Sequence, residues 1–261
     1  MAVLSLLGMA CGEDGSGGDG ARPVTLALDF QPGAVHAGIY ATTRDQLDRR
    51  RGLALEVRVP GASTDSLKLL ASGRADLAIV DIHDLGLARE RGADIVGVGA
   101  LVQRPLAAVI ARQDVRRPRD LEGLRVGVTG LPSDEAVLRA VVEADGGRID
   151  RVRRTTIGFS AVPALITGKV DAVVTFWSAE GVTLRRRGVR TREFRVDEFG
   201  APRYPELVLA TTGETLRRRG KLVRDTVAAL TAGTRRALAD RAASTTEIAR
   251  VSGADEPLVR A

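Results

Sequence analysis

Cysteine is almost absent from this sequence: Cys11 is the only one among 261 residues. A single thiol excludes an internal disulfide and a cysteine metal cluster. Aromatic residues make up 3% of the chain, and lysine occurs only at Lys68, Lys169 and Lys221. The sequence also lacks an HExxH motif and any visible set of nucleophile, histidine and acid. We therefore expect no metal, no cofactor and no catalytic activity.

The charge balance is basic, with 39 Lys+Arg against 33 Asp+Glu and a net charge of +6. The densest basic clusters, LRRRGVRTR and LRRRGKLVR, contain no aromatic residue and match no motif of DNA- or RNA-binding proteins. Elsewhere the arginines are mixed with acidic residues. We therefore predict a solvated basic surface and no nucleic-acid partner.

The sequence starts with MAVLSLLGMAC, a short apolar run that ends in small residues before Cys11, and GEDGSGGDG follows as a flexible linker. The run is too short to span a bilayer as a helix. It resembles the end of a bacterial lipoprotein signal peptide. That resemblance implies that Cys11 is lipidated and that the protein is exported to the periplasm or cell surface and anchored to the membrane. We assign residues 1–21 to this segment; a disordered tail is the alternative.

From Pro23 onward, apolar runs typical of β-strands alternate with helix-like segments, the pattern of an α/β fold. LKLLASGRADLAIV (67–80) and VPALITGKVDAVVT (162–175) match position by position: a helix ends at a glycine, and an aspartate then opens an apolar strand. This match predicts two lobes on one plan, each a mostly parallel sheet flanked by helices. Residues 22–107 and 205–261 would form the first lobe and residues 108–204 the second, with a ligand cleft between them.

Ligands of open α/β sheets bind outside the carboxyl ends of the strands, so residues that follow predicted strands are the site candidates. Asp29 and Phe30 follow the first strand within LALDFQPGAVHAGIY (26–40), in which Tyr40 begins a helix and faces the same loop. A carboxylate accepts from an exocyclic amine while a ring stacks on a heterocycle. The alternative is that Asp29 is a cap and Phe30 a core residue.

Further candidates stand at equivalent places along the chain. Asp81 follows ADLAIV, where it could bind a ligand or cap the next helix. Trp177 follows VDAVVTF, where it could stack on an aromatic ligand or pack within the protein. In the loop GVTGLPSDE, backbone N–H groups could bind an anion or a carbonyl. Five further residues complete the set. Gly130 and Ser133 belong to this loop, and Glu180 lies near Trp177. Gln103 and Tyr204 stand close to the two points where the chain is predicted to pass between the lobes.

The order of LALDFQPGAVHAGIY, SGRADLAIV, RPRDLEGLRVGV and GKVDAVVTFW resembles type II periplasmic solute-binding proteins of ABC importers, over about residues 22–252. Within these it is most similar to the NMT1/THI5-like branch, which binds thiamin pyrimidine precursors. That branch usually carries Asp-Trp-x-Pro-Asn-x-x-His. Here Phe30 stands in place of the Trp, which keeps an aromatic ring at that position, and Gly33 stands in place of the Asn. The resemblance implies that His36 donates to a ring nitrogen or a phosphate. Members of the branch usually carry further helices after the point where this sequence ends.

The resemblance implies a monomeric receptor that captures a small heteroaromatic, such as a formylaminopyrimidine or a hydroxymethylpyrimidine, for the permease and ATPase of an ABC importer. Phe30 and Trp177 would sandwich the ring, and four residues would supply polar recognition: Asp29, His36, Asp81 and Glu180. A sulfonate, nitrate or riboflavin-like ligand on the same fold is one alternative. A pyrimidine synthase is the other. Yeast-type synthases use a cysteine-rich iron motif and hold pyridoxal phosphate on a lysine, whereas Cys11 here lies outside the predicted fold.

Overall fold

The structure is a computed structural model that describes residues 20–254, so the signal-like segment with Cys11 lies outside the described residues. The strands in this range are β1 (Arg22–Ala27), β2 (Leu53–Arg58), β3 (Leu77–Asp81), β4 (Ile95–Val102), β5 (Ala107–Arg112), β6 (Arg125–Val128), β7 (Arg153–Thr156), β8 (Ala172–Phe176), β9 (Thr191–Arg195) and β10 (Leu207–Thr212). The helices are α1 (Ala37–Arg44), α2 (Asp65–Ala71), α3 (Ile82–Glu90), α4 (Pro132–Ala144), α5 (Ala161–Ile166), α6 (Glu180–Arg186), α7 (Gly213–Arg218), α8 (Gly220–Ala239) and α9 (Arg241–Ser252). Between residues 20 and 254, no helix combines the length and apolar character needed to cross a membrane.

The strands form two five-stranded sheets of the same design, in the orders β2-β1-β3-β10-β4 and β7-β6-β8-β5-β9. In each sheet the fourth strand in this order runs antiparallel to both neighbours, while the other four strands share one direction. The predicted α/β fold with two mostly parallel sheets is confirmed, with one reversed strand in each sheet.

The two segments that match in sequence also match in structure. The glycine two residues after α2 and the glycine two residues after α5 both have φ of +69°, the left-handed conformation that commonly follows a helix. Asp76 exchanges two hydrogen bonds with the backbone of Thr25, one of them to its carboxylate at 2.9 Å. Asp171 makes the same pair with Arg125. Each aspartate thus fixes the start of an apolar strand against its parallel neighbour.

Two segments connect the lobes. After β4, residues 103–106 lead into β5, which is buried within the second sheet. Residues 196–206 lead back from β9 to β10, which lies between β3 and β4 in the first sheet. Each crossing leads from an edge strand of one sheet into the reversed strand of the other sheet, so sheet hydrogen bonds fix both of its ends.

The C-terminal helices cover the first sheet. Buried positions of α8 recur every three or four residues, so one face packs inward. This face lies against α1, where Thr42 donates from its hydroxyl to the Gly38 carbonyl at 2.8 Å and to the Ala229 carbonyl at 3.3 Å. α1 begins at Ala37, three residues before the predicted start at Tyr40, and the Tyr40 side chain is buried in this core.

Candidate functional site

A cavity lies between the lobes, at the carboxyl ends of β1, β3, β6 and β8. Its volume is about 780 Å³ when the solvent space of its open mouth is included. Both lobes contribute to its wall. Five of the residues predicted from the sequence line it: Asp29, Phe30, Asp81, Ser133 and Glu180.

Asp29 is held in place by His36. The Gly33 N–H donates to His36 Nδ1 at 3.2 Å, so the proton of the neutral imidazole is on Nε2, which lies 2.9 Å from Asp29 Oδ1 and donates to it. The His36 side chain is 1% exposed and lies behind the cavity wall. His36 therefore orients the Asp29 carboxylate. A direct contact between His36 and a ligand stays a prediction.

The aromatic wall of the cavity consists of phenylalanines. Phe30 and Phe159, from opposite lobes, meet edge to face with ring centroids 4.6 Å apart, and Phe176 lines the cavity as well. Trp177 packs instead against a buried cluster of the second lobe, with the Arg195 guanidinium 4.1 Å from its ring centroid. Successive side chains of an extended chain face opposite sides, and Phe176 takes the cavity side. The predicted sandwich of Phe30 and Trp177 is thus corrected to a wall of three phenylalanines.

Glu180, the first residue of α6, brings a second carboxyl group to the cavity. Burial raises the pKa of the Glu180 carboxyl above its ordinary value, hydrogen bonding to the Thr175 side chain and the Phe176 backbone opposes this increase, and the Asp29 charge adds to it. Because Asp29 and Glu180 influence each other electrostatically, a hydrogen-bond donor placed between them would relieve the repulsion of both.

The loop before α4 is closed around an acid of the protein itself. Asp134 Oδ2 accepts from the Thr129 hydroxyl at 2.8 Å, the Gly130 N–H at 2.9 Å and the Leu131 N–H at 3.2 Å. Gly130 has φ of +95°, which favours glycine at this turn. Burial raises the pKa of Asp134 to about 6, although these hydrogen bonds lower it. The Gly130 N–H, one of the loop donors predicted to bind an anion or a carbonyl, therefore donates to Asp134 instead.

Two sets of polar contacts join the lobes across the cavity. Asp84 of α3 accepts from the Ser133 N–H at 2.9 Å and from the Ser133 hydroxyl at 3.0 Å, at the amino-terminal end of α4. The Ser63 hydroxyl donates to the Thr129 carbonyl at 3.0 Å. Together with the contact between Phe30 and Phe159, these bonds hold the lobes against each other in the arrangement described.

Acidic groups also meet at the crossings. Asp81 caps α3 by accepting from the His83 N–H at 2.7 Å, and the His83 ring nitrogen Nδ1 lies 2.9 Å from the same carboxylate oxygen. The fully buried Glu206 accepts from the N–H groups of residues 106 and 107. Burial and the Asp81 charge raise the pKa of Glu206 to about 8. Asp81, His83 and Glu206 are of the donor types that could hold a metal ion, with ligand atoms within 4.8 Å of one another.

The remaining predicted residues lie away from the cavity. Tyr40 is in the core of the first lobe, and burial raises the pKa of its hydroxyl. Gln103 is exposed on the first crossing. Tyr204 stacks edge to face on His83 at 4.7 Å, and its hydroxyl is buried without a hydrogen-bond partner within residues 20–254. None of these three residues lines the cavity.

Several cavity residues were not predicted from the sequence. Phe159 and Phe176 stand at or just after the ends of β7 and β8, so the same rule that selected Phe30 could have found them. The polar residues of the wall that the sequence did not indicate are Ser63, Ser66, Asp84, Thr129, Asp134 and Thr175. Thr129 and Thr175 stand at the ends of β6 and β8, so the same rule covers them. Ser63 and Asp84 gave no local signal, because their partners Thr129 and Ser133 lie 66 and 49 residues away.

The cavity wall is acidic. Among the lining residues that the structure describes, five are carboxylic acids and none is a lysine, arginine or histidine. The acids are Asp29, Asp81, Asp84, Asp134 and Glu180. Such a wall offers acceptors to a ligand, and it repels a ligand that carries negative charge.

Two similar lobes, two crossings and a cavity between the lobes define the periplasmic binding protein fold. The alkanesulfonate-binding protein SsuA from Xanthomonas axonopodis pv. citri, solved with bound MOPS, is similar with a TM-score of 0.77 at 19% identity, covering 92% of this chain and 82% of that one. The aliphatic sulphonate-binding protein SsuA from Escherichia coli gives a TM-score of 0.75 at 16% identity, covering 92% and 81%. At these identities the likeness concerns the fold alone.

The sequence places the chain more narrowly. Residues 34–244 match the NMT1/THI5-like family, and the chain belongs to that family. It is 34% identical over 203 residues to a formylaminopyrimidine-binding protein from Halalkalibacterium halodurans, covering 77% of this chain and 62% of that protein. It is 24% identical over 153 residues to a 4-amino-5-hydroxymethyl-2-methylpyrimidine phosphate synthase from Saccharomyces cerevisiae, covering 57% and 44%. The chain thus spans less than two thirds of the length of these relatives, and the predicted family membership is confirmed.

Proposed function

We propose that this protein captures an amino-substituted heteroaromatic, a thiamin pyrimidine precursor such as a formylaminopyrimidine or a hydroxymethylpyrimidine, and delivers it to an ABC importer. The observation that carries the proposal is the cavity wall, which combines phenylalanine rings with carboxylates and contains no basic side chain among the described residues. Rings pack on a flat heterocycle, and carboxylates accept from its exocyclic amine. The similarity to a formylaminopyrimidine-binding protein supports the same ligand class.

The wall argues against an anionic ligand such as a sulfonate or nitrate. A sulfonate or nitrate needs N–H donors or basic side chains, and the donors of Gly130, Leu131 and Ser133 are bonded to Asp134 or Asp84. In the proposed complex Asp29, oriented by His36, and Glu180 would accept from the ligand while Phe30, Phe159 and Phe176 enclose its ring. Each polar contact with the ligand would then be made by an acceptor.

The proposed role also includes export and delivery. The protein would be a periplasmic or cell-surface receptor, monomeric, anchored through lipidated Cys11, and would present its closed form to a permease and its ATPase. Similarity to receptor proteins supports binding rather than catalysis, although synthases occur among the more distant relatives. Mass spectrometry of the mature N-terminus, in the wild type and in Cys11→Ala, tests the anchor: an unmodified Cys11 in the membrane fraction would contradict it.

Isothermal titration calorimetry tests the ligand. We expect binding of formylaminopyrimidine or hydroxymethylpyrimidine, and none of an alkanesulfonate, nitrate or riboflavin. Asp29→Asn should weaken binding about 10- to 100-fold, because hydrogen bonds to a charged acceptor are the stronger kind. Phe159→Ala should weaken it about tenfold through the lost ring contact. Trp177→Phe, outside the cavity, is the matched control and should leave the affinity nearly unchanged. Binding of a sulfonate with no response to either pyrimidine would refute the ligand class.

A further inference from the structure

The amino-terminal end of α4 faces the cavity and is occupied by Asp84, an acid of the other lobe. Both oxygens of its carboxylate are used: Oδ1 accepts from the Ser133 N–H at 2.9 Å and Oδ2 from the Ser133 hydroxyl at 3.0 Å. Asp84 is 3% exposed and Ser133 is 8% exposed, so this contact is buried when the lobes are together. Asp84 belongs to α3 of the first lobe and Ser133 to α4 of the second, so the contact forms only when the lobes are together.

The start of a helix attracts negative charge, because its first N–H groups have no partner within the helix and the helix dipole is positive there. On a two-lobed protein this end of α4 is therefore a natural position for a phosphate or sulfonate of a ligand. Here the protein fills the position with its own carboxylate. The neighbouring N–H groups of Gly130 and Leu131 are bonded to Asp134 as well. An anionic ligand group would have to displace Asp84 and would then face the other acids of the wall.

We propose that Asp84 determines the charge class of the ligand: it takes the place of an anionic group at α4, so that the closed cleft accepts a pyrimidine alcohol or formamide and rejects the corresponding phosphate ester. This inference rests on the proposed pyrimidine ligand. If it holds, Asp84 lets the receptor bind an unphosphorylated pyrimidine and exclude the pyrimidine phosphate for which the synthases of the family are named.

The test compares 4-amino-5-hydroxymethyl-2-methylpyrimidine with its phosphate ester by calorimetry. For the wild type we expect the alcohol to bind at least 100-fold more tightly than the ester. Asp84→Ala should narrow this ratio at least tenfold, and Asp84→Asn, which keeps the shape and removes the charge, should narrow it in the same direction. Asp94→Ala is the matched control, because it removes a carboxylate of the first lobe that is absent from the cavity wall. It should leave the ratio unchanged.

An unchanged ratio in both Asp84 variants, with folding verified by circular dichroism, would overturn the assignment, and so would a wild type that prefers the ester. Failure of the ligand proposal is recognised separately, as the absence of binding of either pyrimidine by the wild type. In that case sulfate serves as the probe: it should raise the melting temperature of Asp84→Ala more than that of Asp94→Ala. An equal response of the two variants would also overturn the role of Asp84.

Discussion

At the scale of single residues, the protein keeps several carboxyl groups in surroundings that favour their neutral form. Burial raises the pKa of Asp84 and of Asp134 to about 6, and burial with the Asp81 charge raises that of Glu206 to about 8. The ordinary values lie near 4, so the folded protein binds protons that the unfolded chain releases. These acids therefore stabilise the folded state most below about pH 4, and this stabilisation is lost as the pH rises through 6 and then 8.

The substitution Glu206→Gln tests whether stability falls as the pH rises. Glutamine imitates the neutral carboxyl group: its oxygen can accept from the N–H groups of residues 106 and 107, and its amide can donate to Asp81. We expect the melting temperature of the wild type to fall between pH 5 and pH 8.5, and the fall above pH 7 to be reduced in the variant. Glu214→Gln, at an exposed position of α7, is the control and should follow the wild type. A wild-type melting temperature that rises over this interval would contradict the argument.

A site residue could be predicted from the sequence where its position at a strand end indicates it. It could not be predicted where its role depends on a partner that is distant in the sequence. Asp29 and Phe30 follow from their place after β1, because strand ends of an α/β sheet border its ligand site. Trp177 follows from the same rule but packs on the opposite side of the chain from Phe176, and one residue of register decides which ring enters the cavity. The role of Asp84 depends on Ser133 in the other lobe, which no local pattern reveals.

At the scale of helices and strands, the sequence repeat was a reliable guide because it has a local cause. A left-handed glycine after a helix and an aspartate that bonds the neighbouring strand recur in both lobes at the same spacing. The antiparallel direction of β5 and β10 has no sequence signal, because insertion of a strand into a sheet depends on partners elsewhere in the chain. The close approach of α1 and α8 had no sequence signal beyond two glycines.

The substitution Gly233→Ala tests how closely α1 and α8 pack. A Cβ at Gly233 would lie 3.0 Å from the Thr42 backbone nitrogen and still closer to the Gly38 carbonyl oxygen, and backbone atoms cannot move aside cheaply. We expect a loss of about 1–3 kcal/mol in the free energy of unfolding, measured by urea denaturation. Gly86→Ala, in α3 with no atom near the new Cβ, should instead stabilise by about 0.5–1 kcal/mol. If both variants changed the free energy of unfolding equally, helix propensity and not crowding at Gly233 would determine the effect of the added methyl group.

At the scale of the whole molecule, ligand capture is a shift between lobe arrangements. The contacts across the cavity, from Asp84 to Ser133, from Ser63 to Thr129 and from Phe30 to Phe159, can form only when the lobes are together. Each of these contacts contributes little free energy, and within residues 20–254 the chain passes between the lobes twice, so separation of the lobes breaks few bonds. A ligand that touches both walls adds free energy to the closed form alone and shifts the population toward it.

Small-angle X-ray scattering measures this shift. Without ligand we expect a radius of gyration larger than the value calculated from this structure for residues 20–254 together with the same chain ends. Saturating hydroxymethylpyrimidine should reduce it toward that value. A ligand must prefer the closed form by about 10⁴-fold to convert a 1:99 population into 99:1, so a weak binder should compact the protein only in part. An alkanesulfonate is the control and should leave the scattering unchanged. If calorimetry shows binding of the pyrimidine while the radius of gyration stays constant, the lobes do not close on their ligand, and the contacts across the cavity are permanent parts of the fold.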